Sequence, residues 1–215
     1  MSALFSQPRA TSIRQGALDI LREALLVGQF QPGQQLTEVA LSAQLRISRG
    51  PVREALLILA QEGLVNHHPH HGFSVVSWNT NDALDMASVR LPLETMALEL
   101  ARTAINEARL KELETIKARI LAGVLAHQVA VWIREDLRFH EKVWEWSGNA
   151  WLVHALRRIT YPFFAYSLIY HEQRTPPTLE RMEHLHDTFV RYLSGKCDLT
   201  AEQCVRLHLE SYSVS

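Results

Sequence analysis

Apolar positions change their spacing about a third of the way along the chain. Up to residue 78 they fall in short runs cut by Gly28, Pro32, Gly33, Gly50, Pro51, Gly63, Pro69 and Gly72. These breakers predict short elements: helices over 12–27, 37–45 and 48–61, with a Pro32-Gly33 turn between the first two. Two β-type runs follow, Leu64-Val65-Asn66-His67 and Phe73-Ser74-Val75-Val76, on either side of a turn-forming segment that ends His70-His71-Gly72; they read as a hairpin. From Asn79 the apolar residues recur with the helical period, as at Ile105, Leu110, Leu113, Ile116, Ile120 and Leu121, and no strand pattern is found. Breaks at Gly148-Asn149 and Thr175-Pro176-Pro177 help divide this region into six helices, 80–102, 106–127, 129–146, 150–170, 178–194 and 198–212.

Three helices and a hairpin predict a winged helix-turn-helix in residues 1–78, and six helices predict an all-α bundle in residues 79–215. The fold class is therefore mainly α. Composition agrees: 215 residues with 47% hydrophobic and 21% charged side chains suffice to bury one large core or two modest ones. No run of about 18 apolar residues occurs, and the first residues, Met-Ser-Ala-Leu-Phe-Ser-Gln-Pro-Arg, lack an apolar secretory stretch, so a cytoplasmic protein without a membrane partner is expected. Cys197 and Cys204 are too few for a disulfide framework and read as buried or idle thiols. Net charge is −1, and residues 1–78 carry six arginines against five acids, so charge alone does not identify a nucleic-acid binder.

Local chemistry is more informative. Ser48 is a good N-cap residue and Pro51 tolerates a first helical turn, so a helix is expected to begin here. Val52, Leu56 and Leu59 fall on one face, while Arg49 and Arg53, four apart, project together near the N-terminus. That placement suits the major groove, where arginine pairs with guanine O6 and N7, although either arginine can equally meet a phosphate. Two arginines on a helix are also what any solvated face carries; the preceding turn Leu45-Arg46-Ile47, the earlier helix and the wing tilt the reading toward DNA. Four histidines at the wing, His67, His68, His70 and His71, raise the thought of a metal, but a strand alternates its side chains and presents at most two together.

Residues 28–76 resemble the GntR family of bacterial regulators through Gly28, Pro32-Gly33, Leu36, Glu38, Ile47-Ser48-Arg49, Pro51-Val52-Arg53-Glu54-Ala55-Leu56, Leu59, Glu62-Gly63-Leu64-Val65, Pro69 and Gly72. The resemblance implies that Ser48, Arg49 and Arg53 contact operator DNA and that the wing tip at His71-Gly72 touches the minor groove or backbone. Two departures stand out. Arg46 replaces the Gly usual in the turn, which adds a possible phosphate contact or backbone strain, and His71 replaces a common Arg, which weakens binding as pH rises and the imidazole loses charge.

In the second region Asp136 and His140, four apart, share a helix face, and His186 and His208 lie on two later helices. One carboxylate and three imidazoles suit a divalent transition metal, though with eleven histidines in the chain the pattern alone is weak. Residues 80–212 resemble the all-helical FCD effector-binding domain of the FadR subgroup through Val89-Arg90, Leu93-Glu94, Asp136, Phe139-His140, Ser147-Gly148-Asn149, Leu152, His186, Leu193, Gly195 and His208. That resemblance implies a metal, zinc or nickel first, held by Asp136, His140, His186 and His208. It also implies a regulator controlled by a small carboxylate metabolite at or near the metal, working as a homodimer on an imperfectly palindromic double-stranded operator. Arg90 is the candidate to bind the effector, unless it simply pairs with Glu94 at i, i+4. Arg138, Glu135, Glu141 and His184 are expected to face away from the site, and most of Trp132, Trp144, Trp146, Trp151, Phe163, Phe164 and Tyr166 are expected in the core. A metal-responsive regulator and a metal-dependent enzyme with a DNA-binding domain are the alternatives; no base stands obviously beside the ligands, which disfavours the enzyme.

Overall fold

The computed structural model describes residues 9–77, 79–171 and 178–210, with side chains at 9–12, 80, 83 and 166–171 left aside. Two compact units emerge, Met1–Ser77 and Trp78–Ser215. Tyr166 and His171 lie outside the described side chains.

The first unit comprises α1 (Arg9–Leu26), β1 (Gln35–Leu36), α2 (Glu38–Leu45), α3 (Arg49–Gln61), β2 (Val65–His68) and β3 (Gly72–Val75). Helix α2 starts where Thr37 accepts a hydrogen bond from the Ala40 amide at 3.2 Å, relieving one of the amides that a first turn leaves unpaired. It ends at Arg46 with φ of 55°, a left-handed cap that returns its N–H to Ser42 and Ala43. Without a glycine there, the turn carries strain of about 1 kcal/mol. Leu18, Leu21, Leu25, Leu41, Val52, Leu56 and Leu59 form the core among the three helices. Arg22 of α1 grips Glu62 at the end of α3 with two parallel bonds, Nε to Oε2 at 2.9 Å and Nη2 to Oε1 at 2.6 Å, which fixes the orientation of α3.

Strand order is β1-β3-β2, all antiparallel. The expected hairpin is present with His67 opposite Phe73 and His68 opposite Gly72. Strand β1 was not expected; it is two residues long and exists only because Leu36 pairs with Phe73.

The second unit contains α4 (Thr80–Thr103), α5 (Glu107–Leu125), α6 (Val129–Trp146), α7 (Ala150–His171), α8 (Leu179–Leu193) and α9 (Ala201–Glu210), and all its described elements are helices. Asn79 and Asp82 form a capping box at the start of α4, and Asn106 and Thr178 cap α5 and α8 through their side chains. Helix α4 packs on α6, α7 and α9, and α5 packs on α6 and α8. At the α5–α6 crossing Gly123 leaves no room for a side chain: a Cβ there would stand 2.9 Å from the Trp132 amide nitrogen. The interior of this unit is aromatic, with Trp132, Trp144, Phe139, Phe163, Phe164 and Phe189 all buried. Trp151 departs from the core expectation: it is 85% exposed, on the first turn of α7.

Candidate nucleic-acid interface and metal centre

Helix α3 turns Val52, Ala55, Leu56 and Leu59 fully into the core, while Arg53, off that stripe, and Arg49, in the first turn, stand exposed near its N-terminal end. Arg53 is 62% exposed and, among the described residues, makes a long approach to Glu38, 3.8 Å, so its charge stays available. Ser48 occupies the N-cap position with extended backbone, yet its side chain makes no capping hydrogen bond. Part of the reason is local. A capping hydroxyl bonds the amide of the second or third helical residue, and the third here is Pro51, which has no N–H, so only the Gly50 amide is left to it. The hydroxyl of Ser48 is thus left exposed beside Arg49.

At the wing, His71 is exposed in the turn, and Gly72 opens β3 with φ of 84°, a conformation suited to glycine. His70 is also left-handed, at φ of 66°. His67 stacks on Phe73 with ring centroids 4.7 Å apart, and His68 Nε2 lies 3.0 Å from Ser74 Oγ. The sheet therefore occupies these two rings and leaves the turn to His70 and His71.

Four donors converge inside the second unit. Asp136 and His140 come from successive turns of α6, His186 from α8 and His208 from α9, all at most 1% exposed. Among the described residues they form the one group of three or more such side chains able to share an ion, with ligand atoms within 4.8 Å of one another. His186 Nε2 lies 2.8 Å from Asp136 Oδ1, His140 Nε2 lies 2.8 Å from His208 Nε2, and the Nε2 atoms of His140 and His208 lie 3.6 and 4.0 Å from the same Asp136 oxygen. These separations bracket the edge of about 3.4 Å that bonds of roughly 2.1 Å give a tetrahedral ion.

The hydrogen bonding also fits a cation. His186 Nδ1 lies 2.8 Å from the Met182 carbonyl, which can only accept, so Nδ1 carries the proton and a neutral His186 has a bare Nε2. That lone pair faces a carboxylate oxygen. Two acceptors at this distance need a shared cation or an added proton between them. Three imidazole nitrogens and one carboxylate suit a borderline divalent ion of the zinc or nickel kind.

Electrostatics keep the cluster ready. Burial pushes the Asp136 carboxyl up, but with the added proton between it and His186, the hydrogen bond and charge of His186, then His140 and His208, override burial and hold the group far below the usual carboxylate range. Burial likewise works against Glu94, yet Arg90 first, then His140, holds it at about 2. Burial, reinforced by His140, pulls His208 well below its ordinary value and keeps it neutral, the form that ligates.

Arg90, on α4, pairs with Glu94 as i, i+4 spacing allows: Nε and Nη2 both donate to Oε1, at 2.9 and 2.6 Å. Pairing does not exhaust it. Its guanidinium lies 4.5 Å from the Phe163 ring centroid, and Nη1 is buried without a hydrogen-bond partner among the described residues. Arg138 and His184 are exposed, as expected. Glu135 meets Arg119 and Arg138, and Glu141 accepts from Arg157 and the Tyr161 hydroxyl, so neither acid addresses the cluster. What sequence reasoning missed is Glu94 beyond its bond to Arg90: Oε2 stands 3.3 Å from His140 Nδ1. The i, i+4 pattern exposed the first contact and had no means of exposing the second, which depends on α4 lying against α6.

None of the described helices is long and apolar enough to cross a membrane. Residues 13–75 match the family described as bacterial regulatory proteins, gntR family, and residues 85–211 match the FCD domain. Over 162 residues the chain is 30% identical to the Nta operon transcriptional regulator of Aminobacter aminovorans, covering 74% of each. It is 31% identical over 143 residues to an uncharacterized HTH-type transcriptional regulator, YdhC, of Bacillus subtilis, covering 65% of this chain and 62% of that relative's length. The fold is that of E. coli McbR/YncC, with a TM-score of 0.81 over 93% of this chain and 94% of that one at 21% identity.

Proposed function

The chain belongs to the gntR family of bacterial regulatory proteins, joined to an FCD domain, and is a transcription regulator rather than an enzyme; from that premise we propose that a small carboxylate bound beside a metal in the second unit controls its grip on operator DNA. The single observation that carries this reading is the fully buried convergence of Asp136, His140, His186 and His208 close to a buried arginine with an N–H that has no hydrogen-bond partner among the described residues.

Residues 1–78 act as the reading domain. Arg49 and Arg53 reach base edges or phosphates, the exposed Ser48 hydroxyl meets the backbone, and His71 and Gly72 bring the wing to the minor groove or the phosphates. Residues 79–215 act as the sensing domain. Asp136, His140, His186 and His208 hold a zinc or nickel ion, which when bound supplies a Lewis-acidic anchor with coordination positions open to a carboxylate. Arg90 offers Nη1 to the ligand's acid group, and Phe163 keeps water from that N–H. A homodimer in the cytoplasm engages two half-sites, so the operator is an imperfect palindrome. Switching requires only that the ligand bind one arrangement of the dimer better than another.

The test is a titration of purified protein against DNA from its own promoter region, metal-loaded and metal-stripped, across a panel of di- and tricarboxylates. Operator affinity should depend on the carboxylate only when metal is present and Arg90 is intact. Affinity that follows the metal alone and ignores every acid would select the second reading, a metal-responsive regulator; the complete burial of the four donors is what favours that alternative.

A further inference from the structure

Glu94 is 2% exposed and has divided its two oxygens between two different partners. Oε1 takes both donors of the Arg90 fork, and Oε2 is directed at His140 Nδ1, 3.3 Å away and imperfectly aligned as a hydrogen bond. On the other side of the same imidazole, Nε2 is part of the four-donor cluster. Arg90, Glu94 and His140 thus form a continuous buried line from the guanidinium to the ligand atom.

A histidine that ligates through Nε2 must carry its proton on Nδ1, and a carboxylate on Nδ1 both fixes that tautomer and makes the imidazole a stronger donor. His186 obtains the first effect from a neutral carbonyl, Met182. His140 faces a full negative charge instead. Arg90 competes for that charge, since a carboxylate bound by two guanidinium N–H groups has less to give the imidazole.

We infer that Glu94 is the positioning residue for His140, and that Arg90 sets metal affinity through it. The inference rests on the metal reading given above. It deepens that reading: a carboxylate ligand drawn to Nη1 of Arg90 acts on the metal centre by loosening or tightening the hold of Arg90 on Glu94, so metal and carboxylate are coupled through three named side chains. Coupling of this kind is reciprocal, so whatever Arg90 does to metal affinity, metal does to the site around Arg90.

The experiment uses the full-length protein and zinc or cobalt(II) alone, with affinity measured by competition against a chromophoric chelator in wild type, Glu94→Gln, Arg90→Gln and the double variant. Glu94→Gln preserves shape and removes the charge, and it should weaken metal binding about 10- to 100-fold. Arg90→Gln should tighten it, and the double variant should match Glu94→Gln, because Arg90 has nothing to act through once the carboxylate is gone. In the zinc-loaded wild type the His140 Nδ1 proton should give a slowly exchanging signal by nitrogen-15 NMR, and Glu94→Gln should lose it; a merely structural role would shift melting temperature and leave this signal and the metal affinity alone. If Glu94→Gln does not fold, Glu94→Asp takes its place, with charge kept and reach shortened, and should still weaken binding. Glu94 variants that bind metal within twofold of wild type overturn the inference while leaving the metal reading intact. An Arg90 effect that persists undiminished in the Glu94→Gln background overturns the coupling, and a wild type that binds neither metal overturns both inference and reading.

Discussion

Charge is used in opposite ways in the two units of this protein. On α3, Arg49 and Arg53 stand in solvent near the N-terminal end of the helix while Val52, Leu56 and Leu59 are buried, and among the described residues Arg53 makes a 3.8 Å approach to Glu38. In the second unit Asp136, Glu94, Arg90 and three histidines are withdrawn from water almost completely, and each acidic group is held down by neighbours strong enough to reverse the effect of burial. A solvated charge adds little to stability and is free to meet a phosphate or a base. Buried charges are costly unless paired, so they bind the fold to whatever ion or ligand completes them. The exposed arginines are separable from folding here, and the buried cluster is not.

The sharpest way to break that contrast is His186→Ala. It removes a ligand and leaves Asp136 without its 2.8 Å partner, so the metal-free protein should lose about 3–5 kcal/mol by denaturant unfolding, the cost of stranding a buried charge. Zinc should then fail to raise its melting temperature, as it raises that of wild type. Arg49→Ala should do the reverse: about 1–3 kcal/mol lost in discrimination between operator and scrambled DNA, with unfolding stability within about 0.5 kcal/mol of wild type. If Arg49→Ala destabilises the fold or leaves discrimination intact, the reading head is not the autonomous surface described.

A pH series on metal-free protein tests the buried side. His208 has its folded pKa pulled below the unfolded value of 6.5 by burial first and His140 second, so between those two values the unfolded chain binds the extra proton. Stability should therefore be complete above pH 6.5 and fall as pH drops below it, whereas His208→Gln should flatten that slope. The smallest effect belongs to the turn before α3. Arg46→Gly relieves the left-handed cap at φ of 55° and should stabilise the first unit by about 0.5–1 kcal/mol, at the expense of some operator affinity if Arg46 touches phosphate.

The same contrast explains what could be read in the sequence. The elements of α3 lie in one contiguous stretch, so apolar face, arginine pair and starting residue were all legible without tertiary information. Even there, the cap at Ser48 misled: the residue sits at the N-cap position, but its hydroxyl makes no capping bond, and Pro51 removes one of the two amides it could serve. Strand β1 was invisible: two residues have no period, and Gln35 and Leu36 become a strand only by pairing with Ser74 and Phe73. Of the buried cluster, periodicity offered only Asp136 with His140; His186 and His208 sit on other helices, and only the family resemblance joined all four. Trp151 shows that an aromatic side chain in an apolar helix is no guarantee of burial. Glu94 marks the limit: its bond to Arg90 is local and legible, while its approach to His140 exists only once α4 and α6 have packed.

The central claim is that the buried cluster governs the exposed reader. Fluorescence anisotropy of labelled operator DNA, measured with wild type and His186→Ala in the presence and absence of zinc and a carboxylate panel, tests it most directly. The account predicts that at least one carboxylate changes wild-type operator affinity by about fivefold or more in zinc, and that the same acid has no effect on His186→Ala while Arg49 remains intact. Identical operator binding by both proteins under every combination of metal and acid would contradict it.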